Sequence, residues 1–437
     1  MAEISPFRGI CYNTRKIEDL AHVLTPPYDV ISPREQQQFY DRHPQNVIRL
    51  ILGKINDTDS PKDNRYTRAS AFFQQWRDEK TLVRDETPSL YLTAVDFTVN
   101  GATHTRFGLI ARVGLEPFEK KIILPHERTF SKVKSERLEL MKTCKANFSP
   151  IFGLYTDKGE ILEELKQAAL DREADSDMTD DKGHRHQMWR ITDPGVCGRV
   201  QTAFQDKQIF IADGHHRYET ALNYRNWLAE TQPDFTDDHP ANGIMMYLCS
   251  MNDPGLKILP AHRMLLGADS GMRSSLMEKA ADFFKVTPFP RNDSGLEALC
   301  SGLRKNPLST KIGVLLKNHP EAYLLELKDG VMDRLFEKEI PSALRRLDVT
   351  VLTRLIFVEL MGFDELRLDN EKGIAYTSID ENAVASVASG ECDLAFILNS
   401  TSIEQVRTVA EGGLTMPRKS TYFYPKVITG QVFNCLR

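Results

Sequence analysis

Apolar runs of four to six residues recur along the chain, each closed by a turn residue or by the start of a helical pattern. Examples are Leu90–Val95, Ile151–Tyr155, Ile209–Ala212, Ile244–Leu248, Ile312–Leu316 and Leu394–Leu398. Between them lie segments with helical spacing: 66–79, where Ala69, Phe72, Phe73 and Trp76 share a face, then about 134–146, 215–230, 349–361 and 402–410. Strands and helices mixed in this way restrict the chain to an α/β or α+β architecture. At 437 residues it is too long for one domain. Three regions are expected: 1–87 packing on the core, a central core at 88–265, and a C-terminal α/β domain at 266–437.

Local signals add detail. Ser32-Pro33 reads as an N-cap followed by proline in the first turn. Asn46–Leu52 reads as a short strand carrying Arg49, and Asn100-Gly101 marks a hairpin. Residues 171–187 hold six acids and are expected to form a solvated loop or mobile lid. The helix at 349–361 is expected to be capped by Asp348 and stopped by Gly362.

Composition excludes several classes. With 56 basic against 61 acidic residues the net charge is −5, so a sequence-independent nucleic-acid binder is not expected. The seven cysteines show no C-x-x-C spacing, so reduced, mostly buried thiols are expected and neither a disulfide framework nor a zinc knuckle. No resident metal site is read from the sequence. The N-terminus lacks a signal-peptide pattern and no apolar run is long enough to span a bilayer, so the chain reads as cytoplasmic, with no membrane partner.

Three segments carry chemistry. In Ile211-Ala212-Asp213-Gly214-His215-His216-Arg217 an apolar strand ends, glycine turns the chain, and a helix begins. Amides at a helix start favour an anion, Arg217 can fork onto phosphate oxygens, and either histidine can donate or shuttle a proton. Asp213 can orient a histidine, cap the helix or hold a metal ion. In Leu124-Pro125-His126-Glu127-Arg128-Thr129-Phe130, Glu127 can take a hydroxyl proton, whereas a Glu–Arg surface pair is the plainer reading. The stretch Met416 to Lys426 contains Lys419, Ser420 and Thr421, which suit phosphate contacts and equally suit an edge strand. No P-loop and no kinase-type glycine loop occurs. His262, in Pro260-Ala261-His262-Arg263, is a further candidate for the same cleft.

From Pro6-Phe7-Arg8 and Thr25-Pro26-Pro27-Tyr28-Asp29-Val30-Ile31-Ser32-Pro33 to Lys419-Ser420-Thr421, the chain resembles the bacterial and archaeal family called domain of unknown function 1015. Arg8 and Arg49 sit where that pattern is strongest and join the cleft candidates. Pro125-His126-Glu127 with Asp213-Gly214-His215-His216-Arg217 is similar to the motif pair of the archaeal free-serine kinases of the ParB/sulfiredoxin superfamily. That resemblance implies a ParB/sulfiredoxin-like core. It also implies phosphorylation of free L-serine with ADP or ATP and magnesium, with Glu127 as base and residues 213–217 binding nucleotide phosphates. His126 and Asp213 join Glu127 as the catalytic candidates. The alternatives are a phosphoserine or phosphomonoester hydrolase on the same site, or a non-catalytic nucleotide-binding module. Expected partners are nucleotide and serine or phosphoserine, and a homodimer is one allowed assembly.

Overall fold

The computed structural model describes residues 1–127, 131–306, 309–368 and 373–437. The tail of one motif, Arg128-Thr129-Phe130, lies outside the described residues. The chain forms two compact units. One comprises Met1–Pro125, Thr129–Lys257 and Pro425–Arg437; the other comprises His126–Arg128 and Ile258–Tyr424. The architecture is mixed α/β, as the alternation of runs requires.

The first unit is built on a nine-stranded mixed sheet. Its order is Ile123–Leu124, Ile209–Asp213, Ile151–Tyr155, Gly243–Ser250, Ala102–Gly114, Leu90–Val99, Arg185–Ile191, Ser176–Thr179, with Ile4–Ser5 pairing Ala102–Gly114. The strands Ile151–Tyr155 and Gly243–Ser250 are buried along their whole length, which is why they read as unbroken apolar runs. Asn100 and Gly101 both adopt positive φ, +50° and +74°, and make the tight turn between the two longest strands. Ile123–Leu124 pairs in parallel with Ile209–Phe210, and the longer strand runs on to Asp213. A second core of this unit gathers N-terminal residues such as Trp76 and Phe73 around Phe148 and Phe433. The C-terminal tail returns here, where Asn434–Cys435 pairs with Ala146–Asn147.

Two expectations are corrected in this unit. Ile48–Ile51 is one helical turn, not a strand. The Asn46 side chain accepts the Ile48 N–H at 2.9 Å and starts the turn, and a short buried apolar run fits either state by pattern alone. Residues 171–187 are not a solvated lid. Ser176–Thr179 and Arg185–Ile191 form an antiparallel hairpin at the sheet edge. Two of its acids pair with strand arginines: Asp177 takes Arg185 Nε at 3.0 Å and Asp175 takes Arg190 Nη1 at 3.2 Å. The expected Ser32 cap is present as a full capping box with Glu35.

The second unit holds a six-stranded antiparallel sheet in the order Phe284–Pro290, Glu321–Leu327, Lys311–Leu316, Leu394–Leu398, His262–Leu265, Ile374–Thr377. Leu299 and Leu303 of helix Asp293–Arg304, with Ala383 and Val387 of helix Asp380–Ser389, pack on its apolar face. The expected helix at 349–361 is a turn at Asp348–Thr350 running into a π-helix at Val351–Leu360, ended at Gly362 with φ +71°. Asp348 does not cap it. The cap position is Leu347, and the half-buried Asp348 carboxylate accepts Asn399 Nδ2 at 3.3 Å.

All seven cysteines are free, six of them buried. No helix among the described residues is long and apolar enough to cross a membrane.

Candidate functional site

The strand Ile209–Asp213 is apolar and buried until Asp213, where it leaves the core. Gly214 follows with φ +94° and ψ 27°, a left-handed conformation that glycine reaches without strain. A Cβ there would stand 2.9 Å from the Arg217 guanidinium, so the glycine also gives that side chain room. The helix His215–Thr231 begins directly after it, with Gly214 in the cap position and no capping side chain. The cap residue itself therefore offers the first-turn amides no side-chain acceptor.

Around that turn the charges are paired. Arg217 Nη2 meets Asp213 Oδ2 at 2.6 Å, and Lys426 Nζ meets Asp213 Oδ1. Arg217 Nη1 also donates to the Pro150 carbonyl. His215 is buried, while His216 and Arg217 are half-buried. Beside Arg217 lies a cavity of about 50 Å³ lined by Arg137, Tyr28, Ser149, Asn147 and Thr220. Arg137 is buried and stacks on the Tyr28 ring at 4.0 Å, and burial pushes its guanidinium below its ordinary value. A small anion in this cavity would meet the two arginines that line it, Arg137 and Arg217.

Holding a metal ion is one of the three roles that the sequence leaves open to Asp213. Both of its oxygens face cations, so this donor set does not fit a resident magnesium, and no step is derived through one. Lys426 is a residue of this turn that sequence reasoning does not reach. It stands at the end of the Met416–Lys426 stretch, but its pairing with Asp213 spans 213 residues and no local pattern announces it.

Five further candidates gather in the second unit, where two distant segments meet. Glu127 Oε1 accepts the Lys419 backbone N–H at 2.7 Å. His126 is fully buried, with Nε2 3.0 Å from Thr421 Oγ1, and its carbonyl accepts the Met416 N–H at 2.8 Å. Lys419 is held at φ +55°, a strained value for a residue with a side chain. Arg263 fixes this turn by donating from Nη2 to the Arg418 and Lys419 carbonyls at 3.2 and 3.0 Å. Burial lowers the pKa of Arg263, and the charge of Glu127 works against that shift. The Ser420 hydroxyl donates to the Pro417 carbonyl at 2.5 Å, and its own carbonyl accepts Thr401 Oγ1 at 2.8 Å. Thus Glu127, His126, Lys419, Ser420 and Thr421 form one cluster.

The three outlying candidates serve other ends. His262 Nδ1 accepts the Leu398 N–H at 3.1 Å and Nε2 meets Asp380 at 2.8 Å, so both ring nitrogens are engaged inside the second unit. Arg49 donates to the His43 and Tyr40 carbonyls at 2.8 and 2.9 Å and stacks on Tyr40. Arg8 holds the Glu86 carbonyl through Nε at 2.7 Å.

A family model described as "Protein of unknown function (DUF1015)" matches residues 4–350. No curated protein matches the chain. Among solved structures, a conserved hypothetical protein from Pyrococcus furiosus is 14% identical. Its TM-score is 0.34, and the match covers 73% of this chain and 92% of that one. A free serine kinase in complex with AMP is 12% identical at TM-score 0.34, covering 72% and 86%. SbnI with a C-terminal truncation, from Staphylococcus aureus, is 11% identical at TM-score 0.36, covering 74% and 86%. With TM-scores under 0.5, these three likenesses carry no argument about fold or activity.

Proposed function

Since the chain belongs to the DUF1015 family, whose description assigns no activity, its function must be read from its own residues, and we propose that it is a nucleotide-dependent phosphotransferase acting on free serine. The observation that carries this reading is the turn at Gly214: a helix start directly after a buried strand, with Arg217 and Lys426 sharing a single carboxylate. On this reading an incoming phosphate competes with Asp213 for those two cations, and no P-loop is needed. The likeness of Pro125-His126-Glu127 and residues 213–217 to the free-serine kinase motifs names serine as acceptor and ADP or ATP as donor. Magnesium enters, on this reading, with the nucleotide.

Glu127 takes the proton of the serine hydroxyl as its oxygen forms a bond to the transferred phosphorus. The bond from that phosphorus to the bridging oxygen of the nucleotide breaks, and the shortened nucleotide leaves with the electron pair.

The test is phosphoserine formation from serine with ADP or ATP, by the wild type and by Glu127→Gln. Product from the wild type and its loss in the variant support the reading; full activity in the variant removes Glu127 from the mechanism. Phosphate release from phosphoserine without any nucleotide would make the protein a hydrolase instead.

A further inference from the structure

The hairpin Ser176–Thr179/Arg185–Ile191 turns through residues 180–184, and the turn is tightly specified. Asp180 N–H donates to the His184 carbonyl and Gly183 N–H to the Asp180 carbonyl, both at 2.9 Å, with Gly183 at φ +78°. Asp180 Oδ1 accepts two more amides, those of Lys182 and His184, each at 2.9 Å. One carboxylate oxygen is thereby fixed by the backbone, and the other is aimed.

That second oxygen, Oδ2, faces two imidazoles. His184 Nδ1 and His186 Nε2 each lie 3.2 Å from it. The three donor atoms all lie within 4.8 Å of one another. Residues at i and i+2 share a face of an extended chain, which is why His184 and His186 converge. Their side chains are only 6% and 5% exposed, while Asp180 is 22% exposed and leaves an approach from solvent. Across the sheet the row continues from His186 through Val95 to Arg106, which holds its guanidinium over the Phe152 and Tyr247 rings at 4.9 and 5.3 Å.

We propose that Asp180, His184 and His186 form a binding site for a divalent first-row transition metal, zinc best suiting the donor set, with a coordination position left for water or a small ligand. Two imidazole nitrogens and one carboxylate oxygen are borderline donors that favour such ions over magnesium or calcium. In a four-coordinate zinc site with bonds of about 2.0–2.1 Å, neighbouring donors stand about 3.3 Å apart. The two donor separations from Asp180 match that spacing, and the two imidazole nitrogens lie within 4.8 Å of each other. The two amides on Oδ1 act as the outer shell that orients the ligand oxygen. The rival account is a purely structural His–Asp–His hydrogen-bond cluster, which would bind no metal. This site does not depend on the phosphotransferase reading.

The test uses the untagged full-length chain. Metal-free protein is titrated with Co²⁺ and the visible d–d spectrum is recorded; Zn²⁺ retained after dialysis is measured by elemental mass spectrometry. About one equivalent per chain is expected, with the intense absorption of a four- or five-coordinate site. Asp180→Asn and His184→Gln are expected to lose it. His186→Cys is expected to keep it and to add a sulfur-to-cobalt charge-transfer band. A spectrum unchanged from aqueous Co²⁺ in the wild type, or equal retention in wild type and variants, overturns the proposal. The wild-type titration decides on its own if a variant does not fold.

Discussion

Glu127 Oε1 accepts the backbone N–H of Lys419 at 2.7 Å, joining two segments 292 residues apart. The bond positions the carboxylate and sets up a clean test. Glutamine at 127 can still accept that N–H but cannot take a proton. Glu127→Gln should therefore lower phosphoserine formation about a hundredfold or more while leaving the melting temperature close to wild type. Glu127→Ala should lose the activity and also about 1 kcal/mol of stability through the missing acceptor. Turnover assays beside thermal melts separate the two effects.

Gly214 sits at φ +94°, and a Cβ would meet the Arg217 guanidinium at 2.9 Å. Gly214→Ala is expected to cost about 1–2 kcal/mol for the left-handed backbone. It should also push Arg217 off Asp213. The thermal shift given by ADP or ATP in the wild type should then disappear in the variant. An undiminished shift would mean that the turn does not hold the nucleotide.

How far the sequence revealed these features depended on distance along the chain. The strand–turn–helix at 209–217 is contiguous, and apolar burial followed by glycine is readable in place. Ser32-Pro33 and Asn100-Gly101 were legible for the same reason, since each acts on its nearest neighbours. Lys426 has no local signal, because its role exists only once Asp213 lies beside it. The hairpin at 176–191 was hidden by its acid count. Its own signal was the alternation of His184, His186 and Met188, all buried, with the more exposed Arg185 and Gln187 between them. Ile48–Ile51 is too short and too uniformly apolar for periodicity to separate helix from strand.

Lys426 and Arg217 both neutralise Asp213, with all three side chains 16% exposed or less. Lys426→Met leaves Asp213 with Arg217 alone. That arginine should then be held more tightly by its own carboxylate and be less available to a phosphate. Nucleotide affinity should fall about tenfold, equivalent to about 1.4 kcal/mol, with stability reduced by up to about 3 kcal/mol. Calorimetric titration with ADP measures the first quantity and denaturant melts the second. Unchanged affinity would place the phosphates elsewhere.

Asp348 gives the protein a pH dependence of known sign. Burial pushes its carboxyl up to about 7 from an ordinary value of 3.8, against the hydrogen bonds from Asn399 that favour the charged form. Between those two values the folded chain holds a proton that the unfolded chain releases. The contribution is therefore complete below about pH 4 and lost as the pH rises towards 7, on the order of 4 kcal/mol in all. His43, His186 and His239, whose pKa values burial lowers, act in the opposite sense near the top of that window. The readout is therefore the difference between wild type and Asp348→Asn in urea melts at pH 4.5, 5.5, 6.5 and 7.5. The variant carries no ionisable group at 348, so it should gain on the wild type steadily as the pH rises. Parallel profiles would show that Asp348 ionises in the folded chain as readily as in the unfolded one.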